Sequence, residues 1–192
     1  MTGTPVQRLT VGICGASGAP LALAVLRALR ACAGWESHVI VSRAGWRVLA
    51  EECGAGKADV AALAHYLHED ADIGACVASG TFRTAGMLIV PCSMKTLAGI
   101  HSGYADSLLL RAADVTLKER RPLVLAVRES PFSPVHLRNM AELAGMGVII
   151  MPPVLTYYQQ PRSVEDMTTH MAGKLLAAFG LPVAGYRPWC GG

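Results

Sequence analysis

Three features of the sequence predict an α/β fold, a doubly wound parallel sheet in a single domain. Short apolar runs of strand length alternate with helix-length patterns along almost the whole chain. Two of those runs, Leu9–Cys14 and Met87–Val90, lead into small or hydroxyl-bearing loops that each open a helical pattern. The chain has 192 residues, 52% hydrophobic and 16% charged, enough for one domain with a full core.

Taken in order, the first strand, Leu9–Cys14, runs through Gly15-Ala16-Ser17-Gly18 into a helix over Pro20–Ala31, whose proline suits a first helical turn. A second strand, His38–Val41, ends at Ser42, and helices over Gly45–Cys53 and Ala58–Leu67 follow. Asp70 to Arg83 lacks periodicity and is a candidate lid or subunit contact. The Met87–Val90 strand follows, then Pro91-Cys92 and the Ser93-Met94-Lys95-Thr96 loop, and a helix over Ala105–Glu119. Leu123–Val127 is a strand. Ser133 caps a helix over Pro134–Ala144, Val148–Met151 is the last strand, and Ser163 with Asp166 caps a helix over Val164–Phe179. The domain core covers about residues 9–181. The tail, 182–192, is expected to lie on a neighbour or fray.

Composition narrows the function. A net charge of +3, with no basic run interleaved with aromatics, argues against nucleic acid. Nothing approaches the ~20 apolar residues of a membrane span, and no secretory signal opens the chain, so a cytoplasmic location is expected. Six scattered cysteines without a CxxC pair point to reduced, mostly buried thiols. His65-Tyr66-Leu67-His68-Glu69-Asp70 is read as a polar helix terminus, since no supporting ligand cluster is visible. No metal is expected. The scarcity of charge suggests that much of the exterior is buried in a homo-oligomer.

In an open parallel sheet, ligands bind beyond the carboxyl ends of the strands, where helix N-termini direct free N–H groups outward. Gly15 to Gly18, with Ser17, is therefore read as a phosphate cradle, with Ser42 at the adjacent sheet end. Ser93 to Thr96 adds two hydroxyls and Lys95 at a third. The glycines do not spell GxGxxG, and no acidic residue follows at the usual spacing, so a mononucleotide fits better than a dinucleotide. Arg128 and Glu129 follow the Leu123–Val127 strand at the same edge, where a buried charged pair would be costly unless it served a site. Lys118 closes a helix, where dipole effects alone favour cations. Tyr158 and Lys174 taken singly read as packing and a solvated helix lysine.

Together, GASGA, PCSMKTLAGIHSGYAD, LLLRAADVTLKERRPLVLAVRESPFSPVHLRNM and MPPVLTYYQQPRSVEDM resemble the UbiX flavin prenyltransferases. That family includes the small B subunits of bacterial phenolic acid decarboxylase operons, and the match runs from about Leu9 to Leu181. The resemblance implies a flavodoxin-like, Rossmann-like fold of the flavin-dependent cysteine decarboxylase superfamily, assembled as a homododecamer of trimers. It implies that dimethylallyl phosphate alkylates reduced FMN at N5 and that closure onto C6 gives prenylated FMN. A UbiD-type aromatic acid decarboxylase would receive that product.

By motif position, Gly15, Ala16, Ser17, Ser42, Ser93, Met94, Lys95, Thr96 and Arg128 would bind FMN. Lys118, Arg128, Tyr158 and Lys174 would bind the prenyl phosphate, with Glu129, Lys118, Tyr158 and Glu52 in catalytic positions. An allylic monophosphate is a poor leaving group, so cations and a phenol must stabilise the charge that develops. A carboxylate such as Glu129 can orient them or move a proton. Ile73 falls where some relatives carry an aromatic residue over the flavin, and Pro20 where many have a non-proline. The alternatives are an FMN-dependent cysteine-type decarboxylase, a passive FMN carrier, and a decarboxylase of aromatic acids in its own right. A carrier has no use for a second phosphate site, and a PxMN substrate segment of the cysteine decarboxylases is missing.

Overall fold

The computed structural model describes residues 6–189. Six strands form one parallel sheet in the order β3-β2-β1-β4-β5-β6. They are β1 (Gln7–Ile13), β2 (Trp35–Val41), β3 (Tyr66–Glu69), β4 (Gly86–Cys92), β5 (Leu123–Val127) and β6 (Ile149–Ile150). The helices are α1 (Ala19–Ala31), α2 (Arg43–Cys53), α3 (Lys57–Leu63), α4 (Met94–Ser102), α5 (Leu108–Lys118), α6 (Pro134–Gly145) and α7 (Val164–Ala177).

The apolar runs read as strands are continuous because both faces of the sheet are covered. Along β4, Leu88 and Val90 pack into one core with α1 and α7, while Met87 and Ile89 pack into the other with α4, α5 and α6. All four are completely buried. Each such side chain contributes ~1.5–3 kcal/mol relative to exposure.

Strand order reverses between β1 and β4, and that reversal opens a crevice beyond their carboxyl ends. The turn after β1 has little room: a Cβ on Gly15 would lie 2.3 Å from Ala44 Cβ on α2. Only glycine lets those two segments approach so closely.

Several expectations are corrected. The helix placed over Ala58–Leu67 stops at Leu63, because Ala64 turns to extended backbone (φ −78°, ψ 151°). Tyr66–Glu69 is then an edge strand rather than a polar helix terminus; short and only partly buried, it carries no apolar run to mark it. The helix expected from Ala105 starts at Leu108, where Ser107 is the N-cap and Asp70 Oδ1 accepts from Leu109 N at 2.9 Å. The Asp70–Arg83 stretch carries one short 3₁₀ turn, Cys76–Ala78.

The tail, over its described part, packs on its own chain: the Gln159 amide donates to Arg187 O, and Trp189 stands edge-on to Tyr158. Its last residues, 190–192, lie outside the described residues. Only Cys14 and Cys92 are buried thiols; Cys32 and Cys53 are half-buried and Cys76 is exposed, while Cys190 lies outside the described residues.

Candidate functional site

Three serine or glycine turns meet beyond the sheet's carboxyl edge. Ser42 caps α2, its Oγ accepting from Gly45 N at 3.1 Å. Ser93 caps α4, its Oγ accepting from Thr96 N at 3.3 Å and donating to Thr96 Oγ1 at 3.1 Å. Thr96 Oγ1 donates onward to Cys14 Sγ at 3.1 Å. Burial pushes the Cys14 thiol up to about 11, so it is a neutral acceptor that anchors the threonine. Between these turns runs a crevice of about 710 Å³, lined by Gly15, Ser42, Asp70, Ser93, Lys95 and Thr96 among others.

The first turn of α1 is filled differently. Glu52, near the end of α2, places Oε2 at 2.9 Å from Gly18 N and 2.8 Å from Ala19 N, capping those donors. Burial is the largest single influence and raises its carboxyl, but hydrogen bonds from Ser17, Gly18 and Ala19 and the charge of Arg128 together outweigh it and hold the group below the usual range. Glu52, Ser17 and Arg128 are thus gathered in one polar cluster. Of the N–H donors at the Gly15–Gly18 turn, this carboxylate takes that of Gly18, together with that of Ala19 just beyond it.

Arg128 and Glu129 are exposed beyond β5; Arg128 N donates to Cys92 O at 3.0 Å, and Glu129 Oε1 accepts from Ser130 N at 2.9 Å. Tyr158 meets α7, its hydroxyl 3.3 Å from His170 Nε2. His170 is buried, 5% exposed, and lies within electrostatic reach of Lys174 one turn on. Burial, with that lysine, lowers its pKa and keeps the ring neutral near pH 7. Tyr186 and Trp189 pack around the same group.

Lys118 is not brought to this edge within one chain. It ends α5, just before the amino end of β5, and its ammonium pairs with Glu119 beside Gly80. Arg128 follows the opposite end of β5, and five residues at ~3.3 Å per residue separate those edges by about 16 Å.

The sequence reasoning missed Asp70, Cys14 and His170. Only His170 left a signal, four residues before Lys174 on the same helical face.

The strand order, the crevice at its reversal and the two serine-capped helix N-termini define a doubly wound α/β protein whose ligand crevice opens at the carboxyl edge of the sheet. The chain belongs to the flavoprotein family, whose model matches residues 2–174, and within it to the UbiX-like flavin prenyltransferases. A probable UbiX-like flavin prenyltransferase of Streptomyces sp. (strain D7) is 50% identical over 185 residues, covering 96% of this chain and 92% of the relative. A solved dodecameric FMN-dependent UbiX-like decarboxylase from Escherichia coli O157:H7 is 48% identical, with a TM-score of 0.94 over 96% of this chain and all of its own. The solved AnUbiX (PadA1), in complex with FMN and dimethylallyl pyrophosphate, is 45% identical, with a TM-score of 0.93 over 96% of this chain and 98% of its own.

Proposed function

We propose that this chain transfers a dimethylallyl group from dimethylallyl phosphate to reduced FMN, and that a UbiD-type decarboxylase uses the prenylated FMN. The carrying observation is the separation of two anion-ready groups. Ser42, Ser93, Lys95 and Thr96 line one, at helix N-termini with hydroxyls and a cation. Tyr158 and Lys174, gathered around His170, form the other. A protein that only carried flavin would need the first alone.

The FMN phosphate belongs in the crevice at Ser42, Ser93 and Thr96 rather than on α1, because Glu52 already fills the α1 donors and would repel a dianion there. Gly15 and Ala16 flank that seat, Met94 follows Ser93 on α4, and the ring reaches toward Ser17, Glu52 and Arg128. Tyr158 and Lys174 hold the prenyl phosphate. Their charge and hydrogen bonds stabilise the phosphate as the allylic C–O bond breaks. Glu129, beside Arg128, holds or moves a proton.

Lys118 completes that site from a second subunit, since its own chain places it at the far edge of the sheet. Such an assembly is a homododecamer, the state in which the E. coli relative is described. No helix of the described residues is long and apolar enough to cross a membrane, and the protein works in the cytoplasm. The test is the mass of the flavin recovered after anaerobic incubation with reduced FMN and dimethylallyl phosphate. A gain of one dimethylallyl group is expected; unmodified FMN would refute the reading.

A further inference from the structure

We propose that His38, His68 and Cys76 form a zinc site, separate from the flavin crevice, that ties the segment after β3 to the sheet edge. One ring nitrogen of each histidine and the Cys76 sulfur lie within 4.8 Å of one another. The sequence hid this set because its members come from β2, β3 and the 3₁₀ turn. In register, His38 lies opposite Tyr66 and Ile40 opposite His68, which puts both histidines on the same face of neighbouring strands.

The histidines are held before any metal arrives. His38 is 3% exposed, with its ring 4.6 Å from that of Tyr66 and edge-on to Phe82 at 4.9 Å. Its Nδ1 faces His68 Nε2 at 3.0 Å, and its Nε2 is buried with no hydrogen-bond partner. Protein groups therefore satisfy at most one nitrogen of that ring. The facing pair is joined by a single shared proton or by a bridging cation.

Tetrahedral zinc, with Zn–N of ~2.0–2.1 Å and Zn–S of ~2.3 Å, sets its ligand atoms roughly 3.3–3.8 Å apart. The histidine nitrogens need to open by a few tenths of an ångström, and Cys76 to close by about one. Cys76 is exposed, which gives the ion an entry path and leaves the fourth position to water. Two imidazoles and a thiolate suit zinc rather than magnesium or calcium. Asp72 sits within electrostatic reach of His68 and offsets the remaining positive charge, while Arg8 near His38 opposes it.

The segment so pinned begins at Asp70, which lines the crevice and caps α5. Zinc would hold that wall in place without entering the flavin chemistry.

The test uses the full chain, stripped with chelator and dialysed against zinc chloride. One zinc per chain is expected, and Cys76→Ser and His68→Gln should each weaken zinc binding at least ~10-fold, since even outer-shell changes cost that much. With cobalt chloride, a thiolate-to-metal charge-transfer band should appear in the parent and be absent in Cys76→Ser. Zinc should also slow alkylation of Cys76 in the unmodified protein, a readout that needs no variant. A parent that retains no zinc, a Cys76→Ser protein that binds it equally well, or alkylation indifferent to zinc would each overturn the assignment.

Discussion

The Tyr158 hydroxyl meets His170 Nε2 at 3.3 Å, one helical turn before Lys174. A buried, neutral imidazole thus contacts the phenol, and Lys174 lies on the same helix within electrostatic reach of that imidazole. If these groups hold the prenyl phosphate, Tyr158→Phe and Lys174→Ala should keep FMN yet slow its prenylation. Losing a charge-assisted contact costs ~1.5–3 kcal/mol, or roughly ten- to a hundredfold where it tightens at the transition state. Single-turnover mass spectrometry measures this; parental rates in both variants would count against the site.

The placement of the flavin phosphate separates two serines. Ser42→Asp sets a carboxylate into the crevice and should abolish flavin copurification with the fold intact. Ser17→Asp falls beside Glu52, away from that seat, and should retain more flavin. The opposite order, read from absorbance of the purified proteins, would return the phosphate to the α1 turn.

Glu52 also makes a pH prediction. Its carboxyl titrates below the ordinary range in the folded chain, so it contributes stability at pH values above the unfolded pKa of ~4.3. That contribution is lost as pH falls through the lower, folded value. Glu52→Gln should therefore be less stable at neutral pH, by about 0.5–1 kcal/mol for a largely exposed cap. The difference should shrink toward zero in acid. A gap that widens on acidification in denaturant titrations would contradict the cap.

Lys118 permits a complementation test. Lys118→Ala and Lys174→Ala should each be impaired alone, and mixed oligomers refolded from both should regain activity, because some sites then draw an intact residue from each chain. Light scattering should show a closed oligomer. No recovery on mixing, or a stable monomer at micromolar concentration, would leave Lys118 outside the site.

The isolated protein should release no carbon dioxide from hydroxybenzoate-type acids. Nothing lining the crevice forms an aromatic-acid pocket with its own electron sink. Gas release by the pure chain, with any partner decarboxylase rigorously absent, would show otherwise.

The strands buried on both faces were legible because burial writes itself as unbroken apolar runs, as in Met87 to Val90. The edge strand Tyr66–Glu69 was not, since an edge needs no such run and its histidines resemble a polar helix end. The positions of Ser42 and Ser93 at strand-to-helix junctions were legible from the sequence, because such hydroxyls cap helix N-termini, and both do so here. Glu52 capping α1 could not: its partners lie 33 and 34 residues away, and only the packing of α2 against the β1 turn brings them together. Lys118 was placed in the site by motif alone; which edge of the sheet it occupies depends on the topology.

The carboxylate on α1 bears on residence time. A protein that keeps its flavin for life profits from every donor it can aim at the phosphate. One that receives FMN, alters it and hands it on must also let go. By giving the first helix a permanent internal anion, the chain forgoes one of its strongest grips and holds its shape between visits. If the FMN phosphate sits at Ser42, Ser93 and Thr96 as proposed, its release is governed by that serine-lined seat and not by the donors of α1.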